Sequence, residues 1–163
     1  MSAAPFEPCR ATLLRAIQIE SRNAGIYDSL AQLFQGYEES VTAIFRDMAA
    51  EERAHGAELE HRYVERFGPV PLSAGETEDV IEAPDLDDPE ALVFDSMTVE
   101  QALEAGLRAE ETAREFYRRE IVFVSDVELR TLYRELAEFE ETHVRVLMDK
   151  LTERRHAPGV GGR

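Results

Sequence analysis

The chain has 163 residues, a length that suits one domain with a substantial buried core. Hydrophobic residues make up 44% and charged residues 32%, which excludes collagen-like, low-complexity and wholly disordered chains. Acidic residues outnumber basic ones by 34 to 18, giving a formal net charge of −16. This charge disfavours binding to nucleic acid or to anionic membranes, because both depend on Lys and Arg.

The sequence contains no stretch of about 18 apolar residues that would cross a membrane. The first residues lack the basic and apolar regions of a secretory signal. The single cysteine, Cys9, can form neither an internal disulfide nor a cysteine-based zinc site. We therefore expect a soluble cytoplasmic protein.

Four long segments carry apolar residues every three or four positions, as amphipathic helices do, and none shows the alternation of a strand. The predicted helices span residues 9–34, 40–67, 98–123 and 126–155, and the apolar stripe of the fourth includes Phe139. Capping boxes of the Ser/Thr-x-x-Glu/Gln type predict that the third helix begins at Thr98 and the fourth after Ser125.

The connections between these helices predict how they are arranged. The first is only four residues long, 35–38, which makes helices one and two antiparallel. Residues 68–97 are rich in Pro, Gly and Asp and are long enough to cross the bundle. Residues 156–163 are predicted to be a flexible tail. The chain is thus predicted to be all-α, a single domain over 1–163 that forms an antiparallel four-helix bundle with one long crossover.

The apolar stripe of each predicted helix is interrupted by one glutamate. The four are Glu20, Glu52, Glu110 and Glu140. An unpaired buried carboxylate costs on the order of several kcal/mol, so four in one core need a common explanation. Two divalent cations would neutralise four carboxylates, and neutral histidines would complete the ligand set without adding charge. The stripes therefore predict a two-metal site.

All four histidines follow a glutamate by three residues, so this spacing alone identifies no ligand. Helix phase does discriminate, because only two of the pairs replace apolar residues on a stripe. The others place His61 on the solvated face and His156 at the end of helix four. The retained pairs are Glu52–His55 and Glu140–His143.

Two further regularities select the same glutamates. Glu20 and Glu52 lie 16 residues on either side of Gly36 in the first turn, and the other two lie 15 residues on either side of Ser125 in the second. Each pair is therefore level within its hairpin. In addition, an offset of 90 residues relates helix one to helix three, and an offset of 88 relates helix two to helix four. These offsets predict a pseudo-twofold relation between the two hairpins.

Three phrases carry a resemblance to a known superfamily. They are Glu20-Ser-Arg-Asn-Ala-Gly-Ile-Tyr27, Met48-Ala-Ala-Glu-Glu-Arg-Ala-His55 and Glu110-Glu-Thr-Ala-Arg-Glu-Phe-Tyr117. Over about residues 10–155 the chain resembles the ferritin-like di-iron carboxylate superfamily, and most closely its rubrerythrin-like branch. The resemblance implies a ferritin-like bundle that holds two iron ions.

The same resemblance implies a role for each ligand. Glu52 and Glu140 would bridge the two irons. Each of the other four ligands would bind only one of the two irons, and the histidines would do so through a ring nitrogen. These four ligands are Glu20, Glu110, His55 and His143. Oxygen-rich donors with one imidazole per metal suit Fe(II) or Mn(II), and Mn or Zn can occupy such a site in purified protein.

Other residues near the predicted ligands have more than one interpretation. Tyr27 and Tyr117 lie on the stripes and are interpreted as core aromatics, with contact to the ligands or a radical role as the alternative. Glu51, Glu111 and Glu141 flank ligands but lie off the core row, and they are interpreted as solvated charges.

The resemblance implies an oxidoreductase that reacts with hydrogen peroxide or dioxygen. Rubrerythrins usually carry a rubredoxin-like domain with Cys-x-x-Cys pairs, which one cysteine cannot supply, so an external electron-donor protein is expected. A homodimer or larger homo-oligomer is implied as well. The alternatives are a ferroxidase for iron storage or detoxification, and a metal-free acidic helical module that binds a partner.

Overall fold

The computed structural model describes residues 7–71 and 97–156, and all four predicted helices are present in it. They are α1 Glu7–Phe34, α2 Glu39–Phe67, α3 Val99–Phe123 and α4 Val127–His156. No strand occurs in these residues, which confirms the predicted all-α fold of four helices. The helices pair as α1 with α2 and α3 with α4, and α1 also contacts α3. In this part of the chain, no helix combines the length and the apolar character that crossing a bilayer requires.

Two predicted segments lie largely outside the described residues. The predicted crossover over 68–97 is described only at 68–71 and 97. Of the predicted tail over 156–163, only His156 is described, and it is the last residue of α4.

The turn between α1 and α2 depends on a glycine. Gly36 has a φ of 94°, in the left-handed region that favours glycine over other residues. Its N–H donates to Glu39 Oε1 at 2.7 Å, which ties the turn to the first residue of α2. The chain therefore reverses sharply at Gly36, and Glu20 and Glu52 are brought to the same level as predicted.

The two predicted capping boxes have different outcomes. At α3 the box is present, because Thr98 Oγ1 accepts from Gln101 N–H at 3.2 Å and Gln101 Oε1 accepts from Thr98 N–H at 2.8 Å. At α4 the prediction of Ser125 as the cap is wrong. Asp126 accepts from Leu129 N–H at 2.8 Å and occupies the capping position.

Asp126 also joins the second hairpin to the first. The Arg66 guanidinium, in the last turn of α2, donates to Asp126 Oδ2 at 2.9 Å. This contact, together with the capped N–H of Leu129, holds the pKa of Asp126 below its usual range. An ionised Asp126 is also favourable at the positive end of the α4 dipole.

The core divides into two apolar clusters, and the four stripe glutamates lie in sequence between them. At one end the fully buried large side chains are Leu13, Leu59, Tyr63, Phe116, Tyr117 and Tyr133. At the other end they are Tyr27, Leu30, Phe34, Phe45, Leu103 and Leu147. Every helix contributes to both clusters, so each passes a polar layer on its way from one to the other. The interior is thus apolar at both ends of the bundle and acidic in the middle.

Candidate metal centre

The polar layer consists of one glutamate from each helix, and none of the four has any solvent-exposed surface. They are Glu20 of α1, Glu52 of α2, Glu110 of α3 and Glu140 of α4. The helix phase that predicted these four as inward-facing is therefore correct. Two histidines join them, with side-chain exposures of 12% for His55 and 4% for His143.

The six side chains form two overlapping groups of donor atoms. Within each group, one atom from every member lies within 4.8 Å of the others. The first group is Glu20, Glu52, His55 and Glu140, and the second is Glu52, Glu110, Glu140 and His143. Glu52 and Glu140 belong to both groups. The structure thus brings all six predicted ligands together. Glu52 and Glu140 are shared, while Glu20 and His55 complete one group and Glu110 and His143 complete the other.

Several polar atoms in this layer have no hydrogen-bond partner. Both carboxylate oxygens of Glu52 and both of Glu140 lack one, as do Glu20 Oε2 and His55 Nδ1. The nearest cationic donor to the Glu52 and Glu140 carboxylates is His143 Nδ1, which lies 3.2 Å from Glu52 Oε1 and 3.6 Å from Glu140 Oε2. An unsatisfied buried polar group costs about 1–3 kcal/mol, and more when it is charged. Oxygen and imidazole donors left without partners in one place fit divalent metal ions.

The two buried tyrosines connect the α1 side of the layer to the α3 side. Tyr27 donates a hydrogen bond to Glu110 Oε1, and Tyr117 donates one to Glu20 Oε1. Both rings are fully buried, and burial beside a carboxylate raises both tyrosine pKa values well above their usual range. The tyrosines are therefore core aromatics, as predicted, and they also hold the two outer glutamates.

The environment of His143 includes a carboxylate whose contact the helix periodicity does not predict. Glu51 Oε2 lies 2.6 Å from His143 Nε2, although the Glu51 side chain is 55% exposed. The interpretation of Glu51 as a solvated charge alone is therefore wrong. Glu111 is exposed as expected, whereas Glu141 is ion-paired with Arg114 at 2.9 Å.

The environment of His55 is different. His55 Nδ1 lies 3.3 Å from Glu20 Oε2, and its ring packs on Phe139 with the centroids 4.9 Å apart. Periodicity placed Phe139 on the buried stripe of helix four, but this residue is 49% exposed. Its ring covers the edge of the polar layer where His55 approaches solvent.

The sequence profile of the rubrerythrin family matches residues 11–151, which include all six predicted ligands. This chain belongs to the rubrerythrin family. No protein of curated function matches it significantly. Among solved structures, an uncharacterised conserved protein from Magnetospirillum magnetotacticum MS-1 is similar at 26% identity, with a TM-score of 0.68 over 92% of this chain and 97% of that one. A hypothetical protein from Pyrococcus furiosus is similar at 24% identity, with a TM-score of 0.68 over 93% and 92%.

The rubrerythrin-family site has an uneven distribution of protons. Burial raises the pKa of Glu52 to about 9, and neighbouring carboxylates add to the rise. Burial also raises the pKa of Glu140 well above its usual value. For Glu110 burial acts in the same direction, but the close approach of Glu140 and the hydrogen bond with His143 outweigh it and lower the pKa. The pKa of His143 is raised because its bonds to carboxylates outweigh its burial. The two shared glutamates and His143 are thus the groups whose protons a bound cation would displace.

A close approach in α3 positions one of the tyrosines. A Cβ atom built on Gly106 would lie 3.2 Å from Tyr27 Cε1 and 3.2 Å from Leu147 Cδ1. We expect Gly106→Ala to lower the free energy of unfolding by about 1–2 kcal/mol, because the added methyl displaces a fully buried ring that holds Glu110. Chemical denaturation measures this change.

A second glycine of the rubrerythrin-family bundle provides the matched control for Gly106→Ala. Gly25 of α1 is exposed, and a Cβ built on it meets nothing within 4 Å. Gly25→Ala is therefore expected to stabilise the protein by about 0.5–1 kcal/mol through helix propensity alone. If both variants were stabilised equally, the close packing of Tyr27 on α3 would not constrain the bundle.

Proposed function

We propose that this protein is a di-iron oxidoreductase that reduces hydrogen peroxide or dioxygen at its buried layer of carboxylates. The observation that carries the proposal is the set of four unpartnered oxygens on Glu52 and Glu140, at the overlap of the two donor groups. A stable apolar core would not retain four carboxylate oxygens without partners. Two divalent cations would give all of them partners at once.

The charge and chemistry of the donors favour iron. Four carboxylates balance two ions of charge +2, and the histidines add donor atoms without adding charge. A set that is mostly oxygen with one imidazole per metal suits Fe(II) or Mn(II) and disfavours metals that prefer thiolates. One iron would be held by Glu20 and His55, the other by Glu110 and His143, and both by the shared glutamates.

Bound as a ferrous pair, the iron would supply the two electrons that reduction of one peroxide molecule to two water molecules requires. The chain's own residues provide the surroundings for that reaction. The four glutamates have no exposed surface, so the layer is shielded from bulk water. Tyr27 and Tyr117 hold the outer carboxylates by hydrogen bonds and keep their own protons, because their pKa values are raised.

Three sequence-based expectations belong to this proposal. Reduction of each peroxide molecule consumes two electrons and two protons, and we expect the electrons to come from an external electron-donor protein. A homodimer or larger homo-oligomer and a cytoplasmic location also stay predictions. Ferroxidase activity, in which Fe(II) is the substrate, is the second candidate, because the same buried donors would bind incoming Fe(II).

Peroxide consumption tests the proposal. The protein is loaded with Fe(II) without oxygen and given excess peroxide and a chemical reductant, while peroxide is followed with time. We expect repeated turnover, reduced by about 100-fold or more in Glu52→Ala, which removes a shared ligand. Glu111→Gln, on the exposed face of α3, is the matched control and should keep full activity.

Other outcomes of this experiment would overturn the proposal in different ways. A single oxidation event followed by growth of an iron mineral would indicate storage chemistry rather than a peroxidase. Protein that takes up no iron, with an unchanged melting temperature, would favour the acidic interaction module.

A further inference from the structure

The two halves of the metal layer obey the pseudo-twofold relation closely. The offset of 88 relates Glu52 to Glu140 and His55 to His143. The supporting tyrosines obey the corresponding offset of 90, and each donates to the outer glutamate of the opposite hairpin. Any position at which this symmetry fails therefore distinguishes one metal position from the other.

The symmetry fails at the residue that precedes each shared glutamate. Glu51 of α2 corresponds to Phe139 of α4 under the offset of 88. Both side chains reach across to the histidine of the other helix. Glu51 Oε2 lies 2.6 Å from His143 Nε2, whereas the Phe139 ring lies against the ring of His55, with centroids 4.9 Å apart. Equivalent positions thus place a carboxylate on one histidine and a phenyl ring on the other.

The carboxylate determines what His143 presents to the polar layer. In the neutral ring that a bound cation would require, the proton stays on Nε2 beside Glu51 and the lone pair is on Nδ1. Nδ1 is the atom that faces the layer, 3.2 Å from Glu52 Oε1 and 3.2 Å from Glu110 Oε2. A carboxylate on the distal ring nitrogen of a metal-binding histidine fixes the tautomer and the ring orientation.

The phenyl ring cannot do this for His55. Phe139 offers a packing surface and no oxygen that would accept a ring N–H. His55 Nδ1 also has no hydrogen-bond partner of good geometry, although Glu20 Oε2 is 3.3 Å away. Neither tautomer of His55 is therefore selected by the residue that covers it.

We propose that Glu51 is a positioning residue that makes the two metal positions unequal, so that the His143 position binds a divalent ion more tightly than the His55 position. The inference rests on the proposed di-metal site and deepens it. Contacts at the distal nitrogen of a ligand histidine typically change metal affinity by about 10–100-fold. The His143 position is accordingly filled first, and the His55 position exchanges its ion more readily.

Single-ion binding measures this difference. Co(II) is titrated at fixed pH into metal-stripped protein carrying either His55→Ala, which keeps the His143 position, or His143→Ala, which keeps the His55 position. We expect His55→Ala to bind Co(II) about 10–100-fold more tightly than His143→Ala. Equal affinities would overturn the inference.

Variants of Glu51 and Phe139 attribute the difference to these residues. Glu51→Gln should weaken Co(II) binding by about 10-fold in the His55→Ala background and leave it unchanged in the His143→Ala background. Phe139→Glu should strengthen binding in the His143→Ala background. Glu111→Gln is the matched control and should change neither. Equal effects of Glu51→Gln in both backgrounds would overturn a specific role for Glu51.

A spectroscopic measurement on the chain that retains both histidines tests the inference without the His55→Ala or His143→Ala substitution. Glu51→Gln should change the visible absorption of the first equivalent of bound Co(II) and not that of the second. A change spread evenly over both equivalents would contradict the inference. Failure of the wild-type chain to bind any Co(II) would instead overturn the di-metal site itself, so the two proposals fail in distinguishable ways.

Discussion

Replacing either shared glutamate should remove both metal ions, whereas replacing an outer glutamate should remove one. Glu52 and Glu140 belong to both donor groups, while Glu20 and Glu110 each belong to one. Glutamine has the size of glutamate but lacks its charge, so Glu52→Gln leaves both cations short of an anionic ligand. After reconstitution with Fe(II), the iron content measured by elemental analysis should fall from about two ions per chain to almost none for Glu52→Gln. For Glu20→Gln it should fall to about one.

Glu111→Gln is the control for this series, because the residue adjoins Glu110 on α3 but faces solvent. Its metal content should match that of the wild-type chain. Helix content by circular dichroism should be the same for all the variants, since glutamine fits the space of glutamate. Equal loss of metal from Glu20→Gln and Glu52→Gln would show that the central and outer carboxylates do not have separate roles.

The burial of the four glutamates could be predicted from the sequence because each violates the pattern around it. A glutamate on an apolar stripe, such as Glu52 between Met48 and Leu59, is conspicuous, and the periodicity of a long helix fixes the face on which it lies. The short first connection then fixes the level of each residue within the hairpin. Periodicity and turn length together therefore place side chains in the core without any knowledge of tertiary contacts.

Glu51 could not be identified in this way, because its phase places it among the solvated charges and it is indeed half exposed. The contact with His143 depends on how α2 faces α4, which the periodicity of a single helix does not contain. The internal repeat did hold a signal, since the offset of 88 aligns Glu51 with Phe139. A charged residue aligned with an aromatic one beside a repeated ligand indicates that the two halves differ there.

The errors at Phe139 and Ser125 have simpler physical causes. Phe139 lies at the margin of the α4 stripe, where the pattern cannot distinguish a buried ring from one that covers a neighbour at the surface. Ser125 and Asp126 are adjacent and both are good N-cap residues. Asp126 also accepts a hydrogen bond from Arg66 at the end of α2. Because Arg66 is distant in the sequence, its support for Asp126 as the cap is a tertiary effect.

In protein stripped of metal by a chelator, the free energy of unfolding should fall as the pH rises from about 5 to 9. Burial raises the pKa of Glu52 from 4.5 to about 9, and that of Glu140 is raised as well. Over this range the folded chain therefore holds protons that the unfolded chain releases, and stability decreases with increasing pH. His143, whose pKa is also raised, acts in the same direction above about pH 6.5. Each extra proton contributes up to about 1.4 kcal/mol per pH unit.

Glu52→Gln isolates one of these protons, because glutamine resembles the protonated glutamate and does not titrate. Metal-stripped Glu52→Gln should show a slope smaller by up to about 1.4 kcal/mol per pH unit, and at pH 8 it should be more stable than the stripped wild-type chain. Urea denaturation at several pH values measures both quantities. Identical slopes would show that Glu52 is ionised in the stripped protein. The expected result connects stability to the proposed function: the carboxylate that both ions would require destabilises the bundle when neither ion is bound.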